Sequence, residues 1–376
     1  MTERYLIQPD LEFIKEVSER GGETAKKCFQ CATCSVVCPI SPDNKPFPRK
    51  EMIAASWGLK DKLVSNLDIW LCHQCGDCST KCPRDARPGD VLSAVRSYAI
   101  SEYAVPKSLD KIVNDPQKLP ILFAVPVVVF IVLGLITGLL NFMPKGDEVV
   151  HAKFFSTWLV DIVFIPLFIW VVAIFGLGLT RFIKDMHENA LREGKTTKKE
   201  LNIKELLQSV LNVIPVILRH DKFTKCSENQ DRSVSHMMVF FAFIGLFIVT
   251  NIFFVVLYVF KIHGPYSQLN PVKWVANFSG IALVIGACLM IKDRLSREKQ
   301  VTAYKDWYLL GLVLGLGVTG MLAEMTRLGG IAWLSYLIYF IHLVFVFNMF
   351  AFLPFSKLAH FVYRTVALVY ADYAKR

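Results

Sequence analysis

The chain has 376 residues, of which 53% are hydrophobic, 12% aromatic and only 20% charged. This composition excludes a disordered chain and a small disulfide-stabilised secreted protein, and it disfavours a wholly soluble globular protein. The formal net charge is +10, from 42 Lys and Arg against 32 Asp and Glu. A basic excess is typical of nucleic-acid binding or of a membrane surface, and the positions of the charges decide between them.

The first third of the chain, residues 1–118, is polar and charged and contains no long apolar run. Two segments within it, Lys50–Asn66 and Asp90–Tyr103, carry apolar residues at helical spacing, and Asp90 is a candidate N-cap. Met1–Glu19 carries charges throughout and lacks the apolar core of a signal peptide. We therefore expect residues 1–118 to form a helical domain in the cytoplasm.

Eight of the ten cysteines lie between residues 28 and 82 and form one motif that occurs twice. Each copy reads Cys-x2-Cys-x2-Cys-x3-Cys-Pro. Three cysteines at this spacing ligate one cubane, and the fourth reaches the other cluster in two-cluster ferredoxins. The motif therefore predicts two [4Fe–4S] clusters with crossed ligands. We assign the first cluster to Cys28, Cys31, Cys34 and Cys82, and the second to Cys72, Cys75, Cys78 and Cys38.

Other uses of these cysteines are less consistent with the sequence. Disulfides are disfavoured in a cytoplasmic domain, and structural zinc sites commonly use paired Cys-x2-Cys units. Two cubanes in one small domain indicate electron transfer, because little room is left for a substrate pocket. Basic residues beside the second motif are expected either to raise its potential or to form a solvated face; they are Lys81, Arg84 and Arg87. Cys226 and Cys288 are interpreted as ordinary free thiols.

Six apolar stretches follow from residue 119 onward, and each is long enough, or nearly so, to cross a bilayer core of ~30 Å. They are approximately Leu119–Met143, Trp158–Ile183, Met237–Phe260, Val272–Ile291, Trp307–Met325 and Ile331–Phe355. The fifth gives the weakest signal because its segment Gly311–Gly320 contains four glycines. Glycine is nevertheless frequent where membrane helices approach closely.

The distribution of charge predicts the orientation of these spans. The loop Arg181–Arg232 holds eleven Lys and Arg, and the loop Lys292–Lys305 holds five. The loops on the opposite side hold few, which follows the positive-inside rule. We therefore expect the N-terminal domain and the C-terminus in the cytoplasm of a bacterial or archaeal cell. The basic excess is then explained by topology, and a nucleic-acid role has no further support.

Two histidines in the last predicted span, His342 and His360, are 18 residues apart. Five turns of a straight helix would place them on one face, about 27 Å apart, although a kink at Pro354 would blur this alignment. Ionisable residues in a span are costly and mark function, and two imidazoles at two depths suit the axial ligands of two b-type haems. His236 begins the third span level with His360, so we expect this pair to hold the cytoplasmic-side haem.

The sequence offers two candidates for the second ligand of the outer haem, opposite His342. His263 and His151 both lie on the outer side, and we favour His263 because its segment can fold back into the bundle. Asp161 and Glu324 lie near the outer boundary and are candidate proton acceptors for quinol oxidation, with ordinary water-facing acids as the alternative. The remaining histidines are expected to be solvated or structural; they are His73, His187 and His220.

These observations predict a mainly α fold. A helical two-cluster ferredoxin domain (residues 1–118) precedes a six-helix transmembrane cytochrome b bundle (residues 119–376). No dinucleotide-binding site is expected within the chain, so catalysis on a soluble substrate would lie in a partner.

The motifs also resemble known families. Cys-Phe-Gln-Cys-Ala-Thr-Cys and Cys-His-Gln-Cys-Gly-Asp-Cys are similar to the C subunit of heterodisulfide reductase. The membrane half resembles the haem b subunits of that family and of respiratory nitrate reductase, most clearly from His342 to His360. In that family both histidines ligate haem, and a second helix carries two histidines ten residues apart. His236 matches the first of these, whereas Leu246 stands at the second position and cannot ligate.

The fusion of the two parts resembles the C subunit of the quinone-interacting membrane-bound oxidoreductase (Qmo) complexes of sulfate reducers. That resemblance implies menaquinone, two haems b, two flavoprotein partner subunits similar to Qmo A and B, and electron exchange with adenylylsulfate reductase. Two alternatives remain open at this point. The chain can be the membrane subunit of a heterodisulfide-reductase-type complex, or a membrane anchor for a ferredoxin domain that holds no haem.

Overall fold

The computed structural model describes residues 8–142, 144, 148–220, 232–296 and 302–376. Within these ranges every regular element is helical, apart from one isolated bridge between Leu140 and Phe155. The predicted mainly α fold is confirmed. Cys226 and part of the two basic loops lie outside the described residues.

Short helices build the N-terminal third of the molecule. They are α1 (Leu11–Val17), α2 (Thr33–Val36), α3 (Arg49–Ser56), α4 (Lys60–Leu63), α5 (Asp68–Leu71), α6 (Asp77–Thr80), α7 (Pro88–Tyr103) and α8 (Lys107–Val113). Asp10 caps α1, because its side chain accepts a hydrogen bond of 2.8 Å from the backbone N–H of Phe13.

Two expectations for this region need correction. The single helix predicted over Lys50–Asn66 is divided into α3 and α4, because the chain turns at Gly58 with a φ of +67°. The helix predicted to begin at Asp90 begins at Pro88, where the fixed φ of proline suits the first turn. Asp90 therefore lies inside the helix and forms an ion pair of 2.8 Å with Arg87 instead of acting as the N-cap.

The remaining helices form the membrane half. They are α9 (Leu119–Thr137), α10 (His151–Phe154), α11 (Thr157–Arg192), α12 (Ile203–Arg219), α13 (Arg232–Tyr258), α14 (Pro271–Ser296), α15 (Tyr304–Leu328), α16 (Ala332–Ala351) and α17 (Ala359–Ala374). In the described part of the chain, six of these are long and apolar enough to cross a membrane: α9, α11, α13, α14, α15 and α16. This agrees with the six apolar stretches and is consistent with a multi-pass membrane protein.

The last predicted span is not one helix. Helix α16 ends at Ala351, a 3₁₀ turn follows at Leu353–Phe355, and α17 begins at Ala359. Pro354 has no N–H for the helical ladder and restricts the residue before it, so α16 cannot continue through this point. His342 and His360 therefore lie on two different helices, and the expected alignment on one straight face is wrong.

Helix α11 joins the two halves of the molecule. Its 36 residues make a helix of about 54 Å, which is longer than a bilayer core of about 30 Å. Its C-terminal part packs beside α17, where the rings of Phe182 and Tyr363 lie 5.3 Å apart and His187 Nδ1 lies 2.8 Å from the Tyr370 hydroxyl. The two helices run in the same direction, since both contacts advance together along α11 and α17.

The apolar core of the N-terminal third is completed by α11 and α17. Trp70 and Phe13, both fully buried, share one continuous core with Phe182 and Tyr363. The C-terminal residue Arg376 and Lys195 each lie 2.8 Å from the buried carboxylate of Asp68. The expected boundary at residue 118 thus marks the start of the spans, whereas the packing crosses it.

The glycines of the fifth span allow close helix contacts. A Cβ atom at Gly315 would lie 2.2 Å from the ring of Phe345, and one at Gly317 would lie 2.8 Å from Val284. Gly315, Gly317 and Gly320 also match the Gly-x-Gly-x-x-Gly spacing. They lie inside α15, however, and not in a strand-to-helix turn, so they do not form a dinucleotide site.

Candidate electron-transfer centre

The structure brings the first group of cysteines together. Burial and the neighbouring thiols of Cys28, Cys31 and Cys82 raise the pKa of Cys34 to about 11. Cys82 comes from the second copy of the motif, so this group is crossed in the way that the spacing predicts. We call these four residues the surface-side group, because the Cys31 thiol is exposed.

The second group combines Cys38 with three cysteines of the second motif. Burial raises the pKa of Cys38 to about 11, and Cys72 and Cys75 contribute to this shift. Burial and the same neighbours raise the pKa of Cys78 far above its ordinary value. We call Cys38, Cys72, Cys75 and Cys78 the bundle-side group. Cys34 also acts on Cys78, so the two groups are adjacent.

The loops that carry the cysteines have the same backbone shape in both copies. Gln30 and Ala32 have positive φ values of 58° and 69°, and Gln74 and Gly76 have values of 53° and 95° at the corresponding positions. Residues in this conformation allow the chain to wrap around a compact centre.

Nitrogen donors also point at the sulfur atoms. The Gln74 N–H lies 3.3 Å from Cys72 Sγ, and the Ala86 N–H lies 3.4 Å from Cys82 Sγ. Among the described residues, no three His, Cys, Asp or Glu side chains are close enough to hold a single metal ion. N–H donors that face sulfur are consistent with a cubane site, because hydrogen bonds to the sulfur atoms help to set the reduction potential of such clusters.

The bundle-side group contacts the membrane half. Trp70, two residues before Cys72, is fully buried, and its ring stacks on His360 with the centroids 5.6 Å apart. Arg364, one turn beyond His360 on α17, lies 2.9 Å from Nδ1 of His73. These contacts connect the second motif directly to the helix that carries His360. His73 is therefore a structural link and not a solvated side chain.

The surface-side group has a different environment. Phe29 is 69% exposed and Val36 is 82% exposed. The Arg84 guanidinium lies 4.0 Å above the Phe29 ring. Lys81 and Arg84 are exposed beside Cys82, whereas Arg87 is bound to Asp90. An apolar and basic surface therefore surrounds the exposed cysteine.

His236 and His360 lie on the cytoplasmic side in the predicted orientation. Burial and three nearby cations, with His236 as a further neighbour, hold the pKa of His360 well below its usual range; the cations are Arg96, Arg364 and Lys357. A neutral imidazole is the form that binds a metal. His360 makes no side-chain hydrogen bond to another described residue, which leaves its ring nitrogens available.

His220 is a histidine for which the sequence indicated no specific partner. This residue ends α12 in the left-handed conformation, with a φ of 55°, and is buried. Its Nε2 atom lies 3.3 Å from Nδ1 of His236. Metal-ligating histidines usually hydrogen-bond through the nitrogen that does not face the metal, and His220 supplies this contact. Nothing in the sequence signalled it, because the two histidines belong to different helices.

His342, on the outer side in the predicted orientation, has a similar local arrangement. Its Nδ1 atom lies 2.9 Å from the Thr319 hydroxyl, which donates to the Gly315 carbonyl at 2.6 Å. Thr319 therefore accepts from Nδ1–H, and Nε2 of His342 keeps its lone pair. A Cβ atom at Gly320 would lie 3.1 Å from the His342 ring, so the absence of a side chain there leaves space beside the imidazole.

The structure differs from expectation at the histidine proposed to lie opposite His342. The segment after His263 folds back toward the bundle through Gln268, which donates to Glu324, whereas His263 itself stays exposed. His151 is instead stacked on Tyr339 at 4.4 Å, with its Nε2 atom 2.9 Å from the Ser335 hydroxyl.

The charged groups that act on His151 include His342, so the two histidines lie near each other. Burial and Arg327 lower the pKa of His151 to about 4, and His342 adds to this shift. His151 is therefore better placed opposite His342 than His263 is.

The two candidate proton acceptors also differ. Glu324 forms ion pairs of 2.8 Å with both Lys273 and Arg327. This carboxylate is therefore already engaged by two cations. Asp161 accepts a hydrogen bond from the Tyr258 hydroxyl and has no ion pair with a described residue.

Comparison with known proteins identifies the N-terminal third. The model of the 4Fe-4S dicluster domain family matches residues 24–86, which contain both cysteine motifs. The chain therefore contains an iron–sulfur domain that binds [4Fe–4S] clusters. No solved structure matches the chain.

Curated relatives fall into two kinds. The C subunit of the H(2):CoB-CoM heterodisulfide,ferredoxin reductase of Methanothermobacter marburgensis is 36% identical over 91 residues, 24% of this chain and 49% of that protein. A protein of Archaeoglobus profundus that is named as similar to the heterodisulfide reductase C subunit is 30% identical over 106 residues, 28% of this chain and 56% of that protein. The chain spans about half the length of these relatives.

One relative matches along nearly the whole chain. Citrate utilization protein B of Escherichia coli is 24% identical over 387 residues, which cover 97% of this chain and 93% of that protein. The iron–sulfur domain of this chain is thus similar to the C subunit of heterodisulfide reductase. Its combination with a membrane half has a more distant full-length counterpart.

Proposed function

We propose that this chain is a membrane electron-transfer subunit. Menaquinol would be oxidised near His342 on the outer side and would release two protons there. Its two electrons would pass inward through two haems b to the bundle-side cluster and then to the surface-side cluster. The observation that carries this proposal is the contact of Trp70 with His360, which joins one cysteine group to a histidine of the membrane half. The reverse direction of flow uses the same path.

Each b haem would supply a one-electron iron couple when bound. His236 and His360 would hold the cytoplasmic-side haem, with His220 orienting His236. His342, oriented by Thr319, would hold the outer haem, and His151 takes the place first given to His263. The fit rests on the chemistry of these donors. His236, His342 and His151 each have one ring nitrogen within hydrogen-bond distance of a neighbouring side chain, whereas both ring nitrogens of His360 are available.

The order of the clusters follows from their surroundings. The bundle-side cluster, held by Cys38, Cys72, Cys75 and Cys78, exchanges electrons with the haem. The surface-side cluster, held by Cys28, Cys31, Cys34 and Cys82, faces the cytoplasm and exchanges electrons with a partner.

The names of the heterodisulfide reductase relatives mark them as parts of larger complexes, which supports a multisubunit assembly here. We propose cytoplasmic flavoprotein partners similar to Qmo A and B and adenylylsulfate reductase as the acceptor.

The experiment that tests this function is the haem-to-protein ratio of the detergent-solubilised chain, with its reduced-minus-oxidised visible spectrum. We expect a ratio near two and b-type bands, and we expect His360→Ala to lose one haem while His263→Ala keeps both. A ratio near one would leave a single haem, and quinone would then dock beside it. A haem-free protein with intact clusters would overturn the proposal in favour of a ferredoxin membrane anchor.

A second candidate function is electron transfer linked to citrate utilisation. The full-length similarity to citrate utilization protein B favours it. Native membranes distinguish the two functions. Reoxidation of the reduced haem bands by adenylylsulfate supports the first function, whereas a redox change on adding citrate supports the second.

A further inference from the structure

A cavity of about 80 Å³ lies where the iron–sulfur domain meets the base of the membrane bundle. Its walls come from distant parts of the chain: the turn after α1, α7, the end of α14, the start of α15 and the connection into α17. His360 lines this cavity together with five cationic side chains: Arg20, Arg96, Arg294, Lys305 and Lys357. The cavity is large enough for a small polar group, since a single water needs roughly 10–15 Å³.

The charges of the cavity do not balance. Among the described residues, the acidic side chains that line it are Asp90 and Asp306. Asp306 binds both Arg294, at 3.1 Å, and Lys357. Asp90 is occupied by Arg87, which lies outside the lining. Arg20 forms an ion pair of 2.9 Å with Glu16, which also lies outside the lining. Among the described lining residues, Asp306 is therefore the carboxylate that binds cavity cations, and its partners are Arg294 and Lys357.

The two remaining cations, Arg96 and Lys305, have no short ion pair with a described carboxylate. Arg96 is only 3% exposed, and its guanidinium donates to the backbone carbonyls of Ile69 and Cys72 at 2.6 and 3.3 Å. It forms no ion pair with a described residue. Lys305 lies 4.0 Å from Asp110, at the limit of an ion pair. Buried positive charge without an anion is costly, so this arrangement suits a bound anionic group.

The proposed function supplies a suitable anion. A b-type haem carries two carboxylates on one edge, and His360, its proposed ligand, is itself part of the cavity wall. We propose that Arg96, Lys305 and Lys357 bind the carboxylates of the haem that His360 holds. This inference rests on the proposed function and names the residues that orient that haem. Arg294 supports the site by sharing Asp306 with Lys357.

The site also has a consequence for electron transfer. Cations beside the haem edge stabilise the reduced iron relative to the oxidised iron and so raise the midpoint potential of that haem. Arg96 additionally bonds to the carbonyl of Cys72, a residue of the bundle-side group. The same guanidinium would therefore touch both the haem edge and the cluster loop.

The test is a spectroscopic redox titration of the full-length chain in lipid nanodiscs. Lys357→Met and Lys305→Met are each expected to lower the midpoint potential of one haem and to leave the other haem unchanged. Lys357→Arg keeps the charge and should restore the wild-type potential. Lys292→Met is the matched control, since Lys292 is exposed on α14 two residues before Arg294 and does not line the cavity.

A second measurement does not depend on the potential. Haem-free protein is reconstituted with protohaem or with its dimethyl ester, in which both carboxylates are blocked. At the cytoplasmic-side site, the wild type should bind protohaem about tenfold more tightly than the dimethyl ester. The double variant Lys305→Met/Lys357→Met should lose most of this preference.

The outcomes separate the two proposals. Unchanged potentials and an unchanged preference, in variants with full haem content, would overturn the carboxylate site while the proposed function stands. Loss of co-purifying anionic phospholipid from those variants would assign the cavity to a lipid phosphate instead. A wild-type protein without haem would overturn the proposed function itself.

Discussion

The two cysteine groups have the same spacing in the sequence but different surroundings in the structure. The bundle-side group contains Cys72 and Cys78, both buried, and adjoins the stack of Trp70 on His360. The surface-side group contains the exposed Cys31, beside the exposed side chains of Phe29 and Val36. Local spacing thus determines what each loop can bind, whereas packing determines with which neighbour it can exchange electrons.

The largest expected effect comes from removing one ligand of each group. Cys78→Ala should remove the bundle-side cluster, so that quinol reduces the haems and no cluster. Cys34→Ala should remove the surface-side cluster, so that quinol still reduces the bundle-side cluster while transfer to the partner falls to background. EPR spectra of quinol-reduced membranes separate the two cases.

Cys288→Ala is the matched control for these variants, because Cys288 is exposed on α14 and belongs to neither group. It should retain both cluster signals. Loss of partner transfer in Cys78→Ala, together with full reduction of the remaining cluster, would show that the order of the clusters is reversed.

Two aromatic substitutions, one beside each cysteine group, should change the free energy of unfolding by very different amounts. Trp70→Ala removes a fully buried ring from the core that joins the two halves, and we expect it to lower the free energy of unfolding by about 3–5 kcal/mol. Phe29→Ala removes a ring that is 69% exposed, and we expect a change within about 0.5 kcal/mol. Urea-induced loss of cluster absorbance measures both.

Phe29→Ala should nevertheless slow electron transfer to the soluble partner, because Phe29 belongs to the apolar and basic surface beside Cys31. An unchanged transfer rate in Phe29→Ala and Val36→Ala, with wild-type cluster content, would place the partner elsewhere. Equal losses of stability for Trp70→Ala and Phe29→Ala would contradict the difference in packing.

The last expected effect concerns the pH dependence of stability near the buried Asp68. Glu51, on α3, is 2% exposed, and one of its carboxylate oxygens has no hydrogen-bond partner among the described residues. Burial and the nearby Asp68 raise the pKa of Glu51 from 4.5 to about 7. Below pH 4.5 the group is neutral in both states. As the pH rises through 7 the folded protein must bury the charge, which costs about 3 kcal/mol.

The iron–sulfur domain should therefore lose stability between pH 4.5 and 7, and Glu51→Gln should remove most of this loss. Glu19→Gln, at an exposed position, is the control. Urea unfolding at pH 5 and pH 8 measures the difference. A Glu51→Gln variant with the wild-type pH dependence would show that this carboxyl does not carry the proton.

The strongest features of the sequence predicted the architecture well. The repeated cysteine motif indicated a dicluster domain because cluster ligands come from short loops with fixed spacing. The six apolar stretches indicated six long helices because a bilayer core requires continuous apolar runs. Both signals are local, and the family match over residues 24–86 and the six apolar helices agree with them.

Features that depend on distant contacts were predicted less well. The histidines at 342 and 360 were expected on one helix, but the chain breaks at Pro354, because proline cannot continue the helical ladder. His263 was expected inside the bundle, but Gln268 turns inward in its place. An apolar sequence pattern shows how long a span is. It does not show which loop residue reaches the interior of the bundle.

The sequence by itself determined the helical class, the two cluster motifs and the number of apolar helices, since each follows from short-range spacing or composition. Only the tertiary structure decided which cysteine group adjoins the bundle and that His220 contacts His236. It also decided that five cations from separate segments of the chain line one cavity with His360. The physical reason is that these contacts join residues tens to hundreds of positions apart. Their proximity depends on how α7, α11 and α17 pack together, which no local pattern records.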